Sequence, residues 1–211
     1  EGAVRHGVFL GLRGDKAAEE VNAESERAAP KVSIRLSNPD RVLFPDADVT
    51  KAELAAYLES AAPRMGPHAF NRPLSLVRTP DGVGGQQFFQ KHAMAGAPKE
   101  IKSIPIADDD GKKENYITVT NAAGLAGCAQ MSAVELHIWG SRNDDLDKPD
   151  RLVFDLDPDE GLDFAQVKRA AFDIKALLDS AGLTSFAMIT GGKGIHIVLN
   201  LKRRHDWDEV K

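Results

Sequence analysis

The chain has 211 residues, 42% hydrophobic and 28% charged, a globular composition with room for one domain of ordinary size plus tails. Its single cysteine excludes an internal disulfide and leaves no cysteine cluster for zinc, and the net charge of −5 argues against a protein that coats DNA indiscriminately while allowing a local basic groove. No stretch approaches the ~20 apolar residues of a membrane span and no secretory leader is visible, so a soluble cytoplasmic protein with no membrane partner is expected.

In chain order, the first distinct segment is Val4-Arg5-His6-Gly7-Val8-Phe9-Leu10-Gly11-Leu12-Arg13-Gly14-Asp15-Lys16. Ala17 to Pro30 follow as an Ala- and Glu-rich stretch that reads as a helix-prone or disordered linker. The spacing predicts a helix from Thr50 to Ala61, with Thr50 as N-cap and Glu53 three residues on in a capping box. Arg72 to Arg78 alternates like a strand, Ile117 to Val119 reads as another, and Ala122 to His137 reads as mainly helical. Lys91, His92, Lys99, Lys102, Lys112 and Lys113 give the middle of the chain a basic bias, interrupted by Asp108-Asp109-Asp110. That triplet imitates a metal site, but Asp110-Gly111 marks a turn, and a solvated hairpin tip is the favoured reading.

Two runs in the last third carry chemistry. Arg151 to Asp157 is apolar or β-branched enough for a strand, which Pro158 ends. Alternation puts Val153, Asp155 and Asp157 on one face and sends Leu152, Phe154 and Leu156 towards the core. At about 3.3 Å rise per residue the two carboxylates sit roughly 6.6 Å apart along the strand. From there they can converge on one hard cation, or bracket two ions about 3.5–4 Å apart. Magnesium and manganese suit such oxygen ligands and also bind substrate phosphates. The competing reading is a strand end whose acids merely face water.

Asp163 to Ser180 then reads as an amphipathic helix, with Phe164, Val167, Ala171, Ile174, Leu177 and Leu178 at helical spacing, Asp163 as N-cap and Gly182 as the stop. Leu183 to Ile189 and Ile195 to Leu201 read as strands joined by a tight turn at Gly191-Gly192-Lys193-Gly194. Successive N–H groups in such a turn form an anion-binding nest, to which the lysine adds a mobile positive charge. With Ile195 and Ile197 buried, His196 faces the turn's cargo. Alone, a glycine turn is only a turn and a histidine only a structural residue; joined to the acid pair they point to a metal-bound triphosphate and to nucleotidyl transfer.

These runs, Asp155-Leu156-Asp157-Pro158 and Thr190-Gly191-Gly192-Lys193-Gly194-Ile195-His196, resemble the polymerase domain of bacterial DNA ligase D, a branch of the archaeo-eukaryotic primase superfamily. The likeness extends over roughly residues 32 to 211 through Asn38-Pro39-Asp40-Arg41-Val42-Leu43-Phe44-Pro45, Thr50-Lys51, Phe88-Phe89-Gln90-Lys91, Glu135-Leu136-His137 and Arg203-Arg204-His205-Asp206-Trp207. It implies an α/β (α+β) fold: a primase-like mixed sheet with packed helices, its catalytic part RRM-like. The organisation implied is residues 1–30 as the tail of a ligase OB domain with its linker, and 31–211 as the polymerase domain. The basic N-terminal run is similar to the last motif of an ATP-dependent ligase's OB domain, with Gly7 where proline is usual and Gly14 where glutamate is usual.

The resemblance also implies roles. Asp155 and Asp157 are the expected metal ligands for Mn2+ or Mg2+, with His196 beside them. Thr190, Gly191, Gly192, Lys193 and His196 are expected to hold the triphosphate of an NTP or dNTP, with Lys91 and His137 near the nucleotide. The family usually has serine at the position of Thr190, and a hydroxyl remains. Phe88 and Phe89 are expected to stack on a template base, core packing being the alternative for the pair. Asn38, Arg41 and Lys51 are expected to meet a DNA end, Arg41 and Lys51 gripping its 5′-phosphate; without the resemblance those two read as ordinary surface charges. The family more often has lysine where Arg41 stands.

The implied reaction adds nucleotides, ribonucleotides by preference, to DNA 3′ ends in non-homologous end joining. It implies Ku protein and adjoining ligase and nuclease modules as partners, in a bacterial cytoplasm beside the nucleoid. In the family a third carboxylate arrives on a later strand, so the domain is expected to be incomplete at its C-terminus, where Asp206 to Lys211 begins a helix. A non-catalytic module that holds 5′-phosphorylated ends is the alternative, and a different metal enzyme such as a cyclase or phosphohydrolase is a third reading.

Overall fold

The computed structural model describes residues 31–210 other than 93, 108, 109 and 190. Two short strands, β1 (Val42–Phe44) and β2 (Val49–Thr50), pair antiparallel around a 3-10 turn at Pro45–Ala47 and lead into helix α1 (Lys51–Ala69). The capping box is formed: the Thr50 hydroxyl accepts from the Glu53 N–H at 3.2 Å, and the Glu53 carboxylate accepts from the Thr50 N–H at 2.9 Å. The helix runs past the expected end at Ala61, through Pro63 and Pro67. Each proline removes a backbone donor, but Ala62, Gly66 and Ala69 remain buried, and that apolar stripe holds the extra turns in place.

Strands β3 (Pro73–Arg78), β4 (Phe88–Gln90), β5 (Lys102–Ala107) and β6 (Lys113–Thr118) follow. Helix α2 (Ala122–Gln130) comes next, capped by the Asn121 side chain on Gly124 N–H at 3.0 Å. Strand β7 (Ala133–Ile138) occupies the second half of the segment expected to be helical. Ser132, at φ +57°, breaks the helix. The alternating Ala133-Val134-Glu135-Leu136-His137-Ile138 then finds a full ladder against β3.

In the resulting five-stranded antiparallel sheet, β3 is central, with β7 along one side and β6 then β4 along the other. Helices α1 and α2 cover one face over a core of Leu43, Leu54, Leu58, Leu74, Leu76, Ile117 and Leu125. Strands β5 and β6 form the hairpin expected around the acidic triplet. Gly111 takes φ +78° at its tip, while Asp108 and Asp109 lie outside the described residues.

A second, three-stranded sheet has the order β8 (Arg151–Leu156), β10 (Ile195–Asn200), β9 (Ser185–Ile189), with β10 antiparallel to both neighbours. Helix α3 (Phe164–Ser180) crosses between β8 and β9. Asp163 caps it as expected, in a capping box with Gln166, and Gly182 takes φ +73° after its end. Val167, Ala171 and Leu178 pack on Ile195, Ile197 and Leu199. Phe154, Phe164 and Leu177, expected in the core, are exposed, Leu177 to 70%. A three-stranded sheet covers only one stripe of a helix, so Phe164 and Leu177 fall at or beyond its margins, while Phe154 lies on the edge strand β8.

The loop between β7 and β8 ties the sheets together. Asp150 accepts from Arg72 Nη2 at 2.7 Å and from Arg142 Nε at 2.7 Å, while its carbonyl receives the Leu201 N–H at 2.7 Å. Burial opposes the charge of Asp150, but the two guanidiniums outweigh it and hold the carboxyl below its ordinary value. Arg203 clasps Asp144 with two nitrogens at 2.8 and 3.0 Å, and the Trp207 indole of short helix α4 (Trp207–Val210) donates to Leu146 O at 3.0 Å. Among the described residues no helix is long and apolar enough to cross a membrane.

Candidate active site

The register of β8 against β10 decides what meets what. Leu156 lies opposite Ile195, and Asp155 opposite His196. Paired residues in an antiparallel ladder share a face. Ile195 and Ile197 are buried against α3, so His196 and Asp155 emerge on the other side. His196 Nε2 and Asp155 Oδ1 are 3.0 Å apart. One step beyond the paired residues, Asp157 faces Gly194: a Cβ at 194 would collide with Asp157 Oδ1 and approach the Leu156 carbonyl to 2.7 Å. The acid pair and the end of the glycine turn therefore lie against each other.

The turn itself holds Gly191 at φ +91°, a conformation open to glycine at little cost. Gly191, Gly192 and Lys193 are exposed, and Thr190 lies outside the described residues. Two carboxylates with space around them suit magnesium or manganese, which keep waters and take their remaining ligands from substrate phosphates. Among the described residues no group of three or more His, Cys, Asp or Glu is arranged to hold a metal, so the protein's share of any such shell is small.

The other assigned nucleotide residues sit on the five-stranded sheet. Phe89 is opposite Val77 on β4, and Val77 is opposite Glu135 on β7, so Phe89 shares the outer face with Glu135 and His137. The Phe89 and His137 rings meet edge to face at 5.8 Å, and His137 Nε2 is 2.9 Å from Glu135. The Lys91 ammonium lies 5.4 Å from the centre of the Tyr116 ring, which also meets His92 and Trp139 edge-on. No hydrogen bond, ion pair or ring contact among the described residues joins Lys91 or His137 to the Asp155–His196 pair.

Phe88 and Phe89 are both exposed, to 43% and 66%, so core packing is not the use of either ring. They point to opposite faces, however, Phe88 with Arg78 and Phe89 with Val77. One shared stacking platform is thus replaced by two separate rings.

Arg41 and Lys51 come together at the start of α1. Lys51 N–H donates to Arg41 O at 2.8 Å, and Arg41 N–H donates to Asn38 O at 3.2 Å, closing a tight turn that begins at Asn38, where φ is +47°. Lys51 is no ordinary surface charge. It is buried, its ammonium donates to Ser37 O at 3.1 Å, and its pKa is lowered by burial and then by repulsion from Arg41 and Arg78. Arg78 was not legible in the sequence, because a lone arginine at a strand end carries no local signal of a partner twenty-seven residues earlier.

The model of the LigD primase-polymerase domain matches residues 50–211. The chain belongs to this family. Relatives of the LigD primase-polymerase domain include the multifunctional non-homologous end joining protein LigD of Pseudomonas aeruginosa, 39% identical over all of this chain and 27% of that protein. The protein of the same description from Mycolicibacterium smegmatis is 35% identical over 80% of this chain and 22% of its own length. The polymerase domain of Mycobacterium tuberculosis ligase D, solved in complex with DNA, superposes with a TM-score of 0.74 at 32% identity, covering 83% of this chain and 64% of that one. This LigD-type domain therefore spans about a quarter of its curated relatives and under two thirds of the solved domain. Its mixed α/β architecture is that of the solved polymerase domain.

Proposed function

We propose that the chain is the nucleotide-adding part of a bacterial end-joining protein, transferring a nucleotidyl group, ribonucleotides preferred, to a DNA 3′ end templated by the opposing strand. The observation that carries this reading is the packing of Asp155 and Asp157 against His196 and Gly194. In the reaction the primer 3′-oxygen attacks the α-phosphorus, the bond from that phosphorus to the bridging oxygen breaks, pyrophosphate leaves, and the hydroxyl proton passes to solvent. Asp155 and Asp157 would hold Mn2+ or Mg2+, which when bound supplies Lewis-acid neutralisation of phosphate charge. The turn amides of residues 191–194 and Lys193 hold the triphosphate and offset charge on the departing pyrophosphate. His196, oriented by Asp155, offers a ring N–H to a phosphate oxygen, and Thr190 a hydroxyl. Lys91, with its ammonium against Tyr116, and His137, beside Phe89, face the nucleotide from the larger sheet. Phe89 stacks on a base, a contact worth about 1–3 kcal/mol. Asn38, Arg41 and Lys51 receive the 5′-phosphate of the recessed strand.

Ku and neighbouring ligase and nuclease modules are the proposed partners, in the bacterial cytoplasm at the nucleoid. Residues 1–30 belong, in this reading, to an upstream ligase domain. A second reading, a 5′-phosphate end-binding module without turnover, is favoured by one observation: the described residues gather no third acid at the Asp155–Asp157 site.

The test is primer extension on a gapped, 5′-phosphorylated duplex with manganese, by this chain and by a version reaching the solved domain's full length. Asp155→Ala and Asp157→Ala are expected to abolish extension by the longer version while sparing duplex binding. Undiminished extension by either variant removes that residue from the mechanism. Binding without extension by both unmutated lengths favours the end-binding module.

A further inference from the structure

Arg78 ends β3 on the face it shares with Phe88, and its guanidinium is half-committed. Nε donates to Met131 O at 2.7 Å, while Nη1 donates to Gln90 Oε1 and meets Met94 Sδ at 3.3 Å. All of these partners are neutral, and Nη2 makes no hydrogen bond or ion pair among the described residues. Two other cations stand near it. Arg41 donates to Pro80 O, in the turn that follows β3, and Lys51 is close enough for Arg41 and Arg78 both to depress its pKa.

The backbone around these three is fixed. Thr79 N–H donates to Ser132 O at 2.8 Å, Gly82 N–H to Thr79 O at 3.0 Å, and Val83 N–H to Leu43 O at 2.8 Å. Gly82, at φ +91°, lies so close to β1 that a Cβ would come within 3.3 Å of Leu43 O. The acid in contact is Asp81, 3.8 Å from Arg41 and 77% exposed, a weak counter-charge in water. Three like charges held together by rigid backbone, with one solvated acid against them, are a standing cost that an anion relieves.

We propose that Arg78 is the third cation of a phosphate cradle with Arg41 and Lys51, its free Nη2 edge donating to a terminal phosphate of a DNA strand. The inference rests on the reading of Arg41 and Lys51 as a 5′-phosphate site and adds a residue to it. Through Gln90, whose amide donates to His92 O at 3.0 Å, the same guanidinium is linked to β4. Filling of the cradle is thereby tied to the seating of the strand that carries Phe88 and Phe89.

The experiment compares affinities of the full chain, and of its variants, for one gapped duplex ending in 5′-phosphate or in 5′-hydroxyl, by fluorescence anisotropy at several salt concentrations. The wild type is expected to favour the phosphate by about tenfold, the scale of one or two charge-assisted hydrogen bonds. Arg78→Ala and Arg78→Gln are expected to bring the ratio to within about twofold and to lower the salt slope by about 1. Glutamine keeps a donor for Met131 O, and affinity for the hydroxyl duplex reports folding, since a collapsed variant loses both ligands. Arg41→Ala and Lys51→Ala distinguish the phosphate site itself from the contribution of Arg78. If they abolish the preference while both Arg78 variants keep it, the cradle stands without Arg78 and the inference falls. If the wild type shows no preference, the phosphate reading itself fails, and the inference with it.

Discussion

A methyl group at position 194 has nowhere to go, because the Asp157 carboxylate and the Leu156 carbonyl already occupy its place. Gly194→Ala must push Asp157 aside or pry β10 from β8. A displacement near 1 Å at a reacting centre costs on the order of 10²-fold in rate. Expected for Gly194→Ala in the full-length domain is a loss of that size in extension rate, with duplex affinity unchanged. Extension within about twofold of wild type would show that Asp157 has freedom to spare. His196, two residues on, shows what was legible in advance. Alternation alone predicted that His196 would leave the core while Ile195 and Ile197 entered it, and the register then put His196 beside Asp155. Nothing in a one-dimensional pattern could pair Arg78 with Lys51, because their proximity depends on how the turn after β3 docks on β1.

At the scale of elements, local chemistry was readable wherever a side chain satisfies its own helix end. Thr50 with Glu53 and Asp163 with Gln166 both form the reciprocal cap, the first as expected and the second beyond the expected simple cap. Thr50 also has a neighbour of consequence, since Lys51 occupies the first position of the helix it caps. Thr50→Ala is expected to destabilise the fold by about 1 kcal/mol, read as a lowered urea midpoint at constant slope, with Thr50→Ser restoring most of it. An unchanged midpoint would mean that packing of α1 alone sets its start. The strand β7 was not legible, because Ala122 to His137 is rich in residues that suit a helix. What decides it is the open side of β3, a non-local partner that rewards the alternation of Ala133 to Ile138. The β5–β6 hairpin was legible at its turn and, through Ile117, at the end of β6, but not along β5, where Lys102 and Pro105 interrupt a strand pattern.

Across the whole molecule, the two sheets are joined through Asp150, which carries no local signal that would single it out. It stands one residue before β8, the strand that ends in the site acids, and it holds Arg72 one residue before β3. The orientation of one sheet to the other passes through this carboxylate. Arg72 is buried, and so is Arg151, which forms no ion pair among the described residues and whose pKa is lowered by burial and then by Arg72, against a smaller opposing pull from Asp150. Removing the Asp150 charge leaves these guanidiniums uncompensated, a loss of about 3 kcal/mol for a partner stripped from a buried pair. The sign of the pH dependence follows from the direction of the Asp150 shift. Its folded pKa lies below the ordinary 3.8, so its stabilisation is complete above that value and disappears as pH falls through the lowered one. Asp150→Asn is therefore expected to lie about 3 kcal/mol below wild type in denaturant unfolding at pH 7 and pH 5, with the gap narrowing only below pH 3.8. A gap as wide in strong acid as at neutrality would assign the loss to shape rather than charge. A variant as stable as wild type at pH 7 would mean that the sheets are held together elsewhere, through Arg203 on Asp144 and the Trp207 indole on Leu146.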